Sequence, residues 1–178
     1  YREGDPELDV AAWGQAVRAA ADELGLTLVV EPGRWLVADS GLLLTRVLGR
    51  KQNGTLGFVI VDAAMSELIR PALYDAWHAI VPARARPADA ALEVVDVVGP
   101  VCESGDFLAH ARALPVVETG ELVLVLGAGA YGMTMASTYN SRPLAAEVLV
   151  DGDRWSVIRR RKTVEEMLAD ETVPDWLT

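Results

Sequence analysis

Two tight-turn signals, Gln52-Asn53-Gly54 and Asp151-Gly152-Asp153, each lie between runs of strand-forming residues, and they constrain this chain more than any other feature. Asn-Gly and Asp-Gly pairs suit the left-handed backbone that short hairpin loops require. The first joins Leu42 to Arg50 with Thr55 to Asp62, and the second joins Ala145 to Val150 with Trp155 to Arg160. Ala91 to Val98 and Leu122 to Leu126 have the same β-branched and aliphatic texture. The chain beyond Arg34 is therefore expected to be mostly antiparallel β, closed or folded over as a barrel or sandwich.

The opening of the chain has a different period. Asp9 is a good N-cap, and Val10, Trp13, Val17, Ala20 or Ala21 and Leu24 recur at helical spacing until Gly25 offers a stop, which predicts an amphipathic helix over 10–24. Thr27 to Val30 follows as a continuously apolar run, the pattern of a parallel strand buried on both faces. Helix, short loop and buried strand make the closing unit of a β/α barrel, with Glu31-Pro32-Gly33-Arg34 at the carboxyl end of the strand, the catalytic face of that fold. The expected fold class is mainly β with an α/β N-terminal piece. Residues 1–40 would be the last helix and strand of a β/α barrel, and 41–178 an antiparallel β-barrel or sandwich domain with short helices. Between strands, Ser66 to Ile80 reads as a turn into a short helix carrying Leu73, Trp77 and Ile80 on one face, and Thr163 with Glu166 forms a capping box for a helix running to about Glu171. The opening Tyr-Arg-Glu-Gly-Asp-Pro reads as a loop leaving upstream structure, so the chain is expected to be the C-terminal portion of a longer protein.

Composition narrows the function. Lys and Arg total 16 against 26 Asp and Glu, a net charge of −10 that repels nucleic acid. No apolar run approaches the ~20 residues of a membrane span, and no basic-then-apolar leader opens the sequence, so a cytoplasmic location is expected. A single cysteine forms no internal disulfide, and His78 and His110 stand too far apart in sequence to form a metal-ligand cluster.

That single cysteine lies in Gly99-Pro-Val-Cys-Glu-Ser-Gly-Asp106, a glycine-punctuated loop that also carries Glu103 and Asp106. A thiol beside a carboxylate can pass a proton, which makes Cys102 the candidate catalytic group. A lone cysteine is more often a small buried hydrophobe, so the assignment needs other segments to converge on it.

They do, in one order: Glu31-Pro32-Gly33-Arg34, Arg70-Pro71-Ala72-Leu73-Tyr74, Cys102-Glu103-Ser104-Gly105-Asp106, then Gly129-Ala130-Tyr131-Gly132 leading to Met135-Ala136-Ser137 and Tyr139-Asn140-Ser141-Arg142-Pro143. Together they resemble the diaminopimelate decarboxylases of the fold-type III family, which depend on pyridoxal 5′-phosphate. The resemblance runs from the first helix to the Arg-rich strand. It implies an N-terminal eight-stranded barrel that holds the cofactor through a lysine, and a C-terminal β domain that completes the active site across a head-to-tail homodimer. It also implies conversion of meso-2,6-diaminopimelate to L-lysine and CO₂. By that resemblance Glu31 faces the pyridine nitrogen of the cofactor, with Pro32 and Gly33 beside it. Arg34, Arg70 and Tyr74 bind the substrate carboxylate, Arg34 also lying near the cofactor. Glu103 reads the distal ammonium, Cys102 returns a proton to the carbon that loses CO₂, and Tyr131 stands at the cofactor phosphate and substrate. Gly127, Gly129 and Gly132 would let backbone approach a ligand, while Met133, Met135 and Tyr139 read as packing residues. The only lysines, Lys51 beside a hairpin and Lys162 beside a helix cap, do not fit the cofactor-bearing role, so this piece alone is expected to be inactive. Two other readings stay open: a non-catalytic binding or assembly module on the same fold, and a related decarboxylase acting on another basic amino acid.

Overall fold

The computed structural model describes Gly4 and residues 6–177; the loop expected at the N-terminus lies largely outside the described residues. Helix α1 (Val10–Leu24) forms where the apolar spacing predicts it. The Asp9 carboxylate accepts the Ala12 amide at 2.9 Å, and the chain turns left-handed at Gly25. No strand forms at 27–30, in contrast to the sequence expectation. A continuous apolar run becomes a strand only beside a neighbour that completes its ladder, and among the described residues no strand pairs with it. Leu28, Val29 and Val30 are exposed accordingly. Glu31 and Pro32 lead directly into a one-turn helix, α2 (Gly33–Val37).

The remainder is a six-stranded sheet plus a two-stranded ribbon. The sheet contains β1 (Leu43–Asn53), β2 (Leu56–Val61), β3 (Ile80–Pro82), β4 (Leu92–Val98), β5 (Phe107–Pro115) and β6 (Leu122–Val125), in the order β3-β6-β1-β2-β4-β5. All pairs are antiparallel except β2–β4, which is parallel, so the sheet is mixed and residues 62–91 form a crossover. Edge strands β3 and β5 approach each other without a shared ladder. Arg112 of β5 bridges the gap, its Nη1 donating to the His78 carbonyl at 2.5 Å while its guanidinium lies 3.4 Å over the Trp77 ring. The result is a nearly closed barrel filled by Val47, Val59, Val61, Val97, Leu108 and Val125, all buried. The ribbon of β7 (Glu147–Asp151) and β8 (Arg154–Arg159) turns at Gly152, φ 63°. After it, the Thr163–Glu166 capping box starts α4 (Val164–Leu168), shorter than expected.

Two further elements differ from the sequence reading. The helix expected up to Ile80 is only α3 (Arg70–Tyr74), because Asp75 turns left-handed at φ 51° and ends it, and Ile80 instead pairs with Val125 in the sheet. Strand β5 carries no strong strand signal in Ala-His-Ala-Arg-Ala, yet it completes the barrel through β4. No helix among the described residues is long and apolar enough to cross a membrane.

Candidate active site

The segment 37–41 and the loop after β6 cross backbone to backbone, and this crossing builds the first half of the site. Gly129 N–H donates to the Ala38 carbonyl at 3.0 Å and Ala128 N–H to the Gly41 carbonyl at 2.8 Å. A Cβ at Gly129 would stand 1.9 Å from the Val37 carbonyl oxygen, so only glycine permits the approach. The close partner of this glycine is therefore the chain's own backbone, not a ligand, and the loop is a fastened corner. Just beyond it Tyr131 holds φ 59°, an uncommon conformation for a bulky side chain and one that clusters at functional sites.

The corner places Tyr131 on the wall of a cleft of about 1040 Å³ together with Glu31, Pro32 and Arg34. The indole of Trp13 from α1 and that of Trp35 from α2 supply aromatic wall, and Glu7 and Asp39 add carboxylates to that of Glu31; sequence reasoning had taken Trp13 only as an apolar helix position and had not singled out the other three. Four of the sequence-derived site residues thus meet. Gly33 is the first residue of α2, directly before Arg34. Arg70, Tyr74, Cys102 and Glu103 are not among the residues that line the cleft.

Helix α3 is the strut between this cleft and the cysteine loop. Arg70, buried in the first turn, has its guanidinium carbon 5.4 Å from the centre of the Tyr131 ring, a cation–π contact that supports the tyrosine from below. Ala72 lies in van der Waals range of where a Gly105 side chain would stand, so the same helix backs the loop. Tyr74 ends α3 and is exposed.

The two carboxylates of the cysteine loop have separate jobs. Asp106 is buried, its Oδ1 accepting the Met65 amide at 2.7 Å and its Oδ2 the Val101 amide at 2.5 Å. It is a structural staple that ties the loop to the Met65 and Val101 backbone. Cys102 is a free, exposed thiol. Glu103 is exposed, with Oε1 accepting the Gly105 amide and Oε2 accepting the Tyr139 hydroxyl, each at 3.3 Å. The Glu103 charge is the main reason the Tyr139 phenol is raised above its ordinary value, with the hydrogen bond and the nearby Cys102 adding to it. Tyr139 was read from sequence as packing; nothing local could have joined it to a residue 36 positions earlier.

A sequence model of the family described as pyridoxal-dependent decarboxylase, C-terminal sheet domain, matches residues 21–129. The chain belongs to this family. Among its relatives, diaminopimelate decarboxylase of Zymomonas mobilis is 44% identical over 99% of this chain and 42% of that protein. The Pseudomonas aeruginosa diaminopimelate decarboxylase is 51% identical over 97% of this chain and 41% of that protein. A crystal structure of Helicobacter pylori diaminopimelate decarboxylase complexed with L-lysine superposes with a TM-score of 0.84 at 41% identity, covering 94% of this chain and 41% of that one. The chain therefore spans about two fifths of the length of the relatives it matches, and its fold agrees with that of the solved relative.

The family cofactor is pyridoxal 5′-phosphate, and the cleft is chemically suited to it. Within one cavity it combines three carboxylates, a guanidinium, a phenol and two indoles: the indoles suit a flat ring, a carboxylate suits a pyridinium nitrogen, and the guanidinium and phenol can donate to a phosphate. A covalent anchor is not among these residues, since Lys51 lies in β1 and Lys162 precedes the α4 cap.

Proposed function

We propose that this chain is the C-terminal part of a cytoplasmic, homodimeric decarboxylase that converts meso-2,6-diaminopimelate to L-lysine and CO₂ in lysine biosynthesis. Residues 1–40 would complete the cofactor-binding barrel, and 41–178 would form the sheet domain. The observation that carries the substrate reading is Glu103. It is an exposed carboxylate held by two donors beside the chain's only thiol, which suits recognition of an ammonium next to a proton donor. Relatives named diaminopimelate decarboxylase, and the solved relative complexed with L-lysine, support the same reading.

The residues then divide the work. With pyridoxal 5′-phosphate bound, the Glu31 carboxylate would face the pyridine nitrogen and favour its protonated form, Pro32 and Gly33 would hold the turn that aims it, and Tyr131 would stand at the phosphate and substrate. Arg34, Arg70 and Tyr74 hold the substrate carboxylate; the forked guanidinium geometry suits a carboxylate. Bound pyridoxal 5′-phosphate supplies an electron-withdrawing ring for the electrons of the broken Cα–CO₂ bond. Cys102 Sγ gives a proton to that carbon, and Glu103 pairs with the distal ammonium. The cleft of Glu31 and the loop of Cys102 are distinct places on one chain, which suits an active site assembled from two subunits.

The test is L-lysine formation from meso-diaminopimelate by the full-length, cofactor-loaded protein, compared with Glu103→Gln. The substitution keeps size and hydrogen bonding but removes the charge, and loss of one partner of a desolvated charged pair predicts a fall in kcat/KM of at least about tenfold. Absence of L-lysine formation would refute diaminopimelate as the substrate, and unchanged kcat/KM in the variant would refute Glu103 as the group that reads its distal ammonium.

A further inference from the structure

We infer that Tyr139 is a positioning residue that fixes the Glu103 carboxylate, and so sets the preference for substrates that carry a distal amino group. This rests on the function proposed above and adds to it a residue to which neither cofactor binding nor the proton transfer is assigned. A glutamate on an exposed loop samples several rotamers, and an ammonium is selected only by a carboxylate whose direction is already set. Here both oxygens are tied, Oε1 to the Gly105 amide and Oε2 to the Tyr139 hydroxyl. The two bonds leave the remaining acceptor capacity of the carboxylate for a ligand.

The phenol comes from a segment that is itself anchored at both ends. Ser137 N–H donates to the Ser66 carbonyl at 2.9 Å, and Arg142 Nη2 donates to the Asp62 carbonyl at 2.7 Å while lying 3.6 Å from Glu67 Oε1. Between these anchors Asn140 and Ser141 are consecutive left-handed residues, φ 56° and 55°. Two adjacent non-glycine residues in that region persist only where the surroundings over-determine them, and their effect is to aim Tyr139 back at the cysteine loop. A phenol is protonated throughout the neutral range at its ordinary value of 10.0, and the neighbouring Glu103 charge raises it further, so Tyr139 acts as a donor there.

Tyr139→Phe in the full-length holoenzyme is the decisive variant, because the ring and its packing remain and only the hydroxyl leaves. A long, exposed hydrogen bond to a carboxylate predicts a loss of about 5- to 10-fold in kcat/KM for meso-diaminopimelate, carried by KM with kcat nearly unchanged. Calorimetric affinity for L-lysine should weaken by the same factor. Turnover of the analogue in which hydrogen replaces the distal amino group should not change, and the Tyr139→Phe/Glu103→Gln double variant should be no worse than Glu103→Gln alone. Equal losses on both substrates, or fully additive losses in the double variant, would overturn the inference. If Glu103→Gln impairs diaminopimelate turnover and Tyr139→Phe does not, this inference alone fails. If Glu103→Gln has no effect, the role proposed for Glu103 fails first and this inference falls with it.

Discussion

Gly129→Ala should unfasten the corner that holds Tyr131 against the cleft. The new methyl would start 1.9 Å from the Val37 carbonyl oxygen, a backbone atom that cannot swing aside as a side chain can. Restoring van der Waals contact needs the two segments to part by about 1.5 Å, which stretches both hydrogen bonds across the crossing beyond any useful length. Two bonds at about 1 kcal/mol each, with about 1–3 kcal/mol for overpacking, give a destabilisation of about 3–5 kcal/mol. That is a large share of the ~5–15 kcal/mol that holds a typical domain folded. The assay is urea denaturation of the full-length protein followed by tryptophan fluorescence, with Gly14→Ala as control. Gly14 lies within α1 with nothing within 4 Å of a Cβ, so the same substitution there should stabilise by about 0.5–1 kcal/mol. A Gly129→Ala protein within about 1 kcal/mol of wild type would refute the steric reasoning.

Three further outcomes follow from the site and its supports. Asp106→Ala strands the Met65 and Val101 amides and should cost about 2–5 kcal/mol in the same denaturation assay, whereas Glu103→Ala on the same loop should cost under about 0.5 kcal/mol. Cys102→Ala should lower kcat for lysine formation by about 10²-fold or more while cofactor absorbance stays unchanged; an unaltered kcat would remove the thiol from the proton transfer. Burial holds the His78 imidazole below its ordinary value, even though its bond to the Leu126 carbonyl works the other way, so the unfolded state binds the proton more readily. Its contribution to stability is complete above the unfolded value of 6.5 and is lost as pH falls from there toward the folded value, so His78→Asn should flatten the stability slope between about pH 7 and 5.

The hairpins and the capping box were legible because their determinants are local: Asn53-Gly54, Asp151-Gly152 and Thr163 with Glu166 each specify structure within a few residues. The crossover was misread because Leu73, Trp77 and Ile80 keep helical spacing by coincidence, while one left-handed residue, Asp75, diverts the chain. Strand β5 escaped notice because its inward positions include Ala109 and the buried Arg112, which blur the alternation that marks a strand. Glu31, Arg34 and Tyr131 could be gathered as candidates from family resemblance, but the contact that brings them together is a backbone crossing between residues 91 positions apart, Gly129 N–H to Ala38 O. The bond from Tyr139 to Glu103 has no sequence signature because both segments must first be docked on the barrel.

The parallel β2–β4 pair has a kinetic consequence. Hairpin β1–β2 closes over two residues and β4–β5 over the cysteine loop, so each can form early at little entropic cost. Joining them side by side requires residues 62–91 to cross over, and only then can α3 back Tyr131 on one side and Gly105 on the other. The surface that carries the candidate site therefore consolidates after the hairpins have committed the sheet. Substitutions along the crossover should chiefly hasten unfolding and leave the folding rate almost untouched, so the lifetime of the site is set separately from the speed at which the barrel is built.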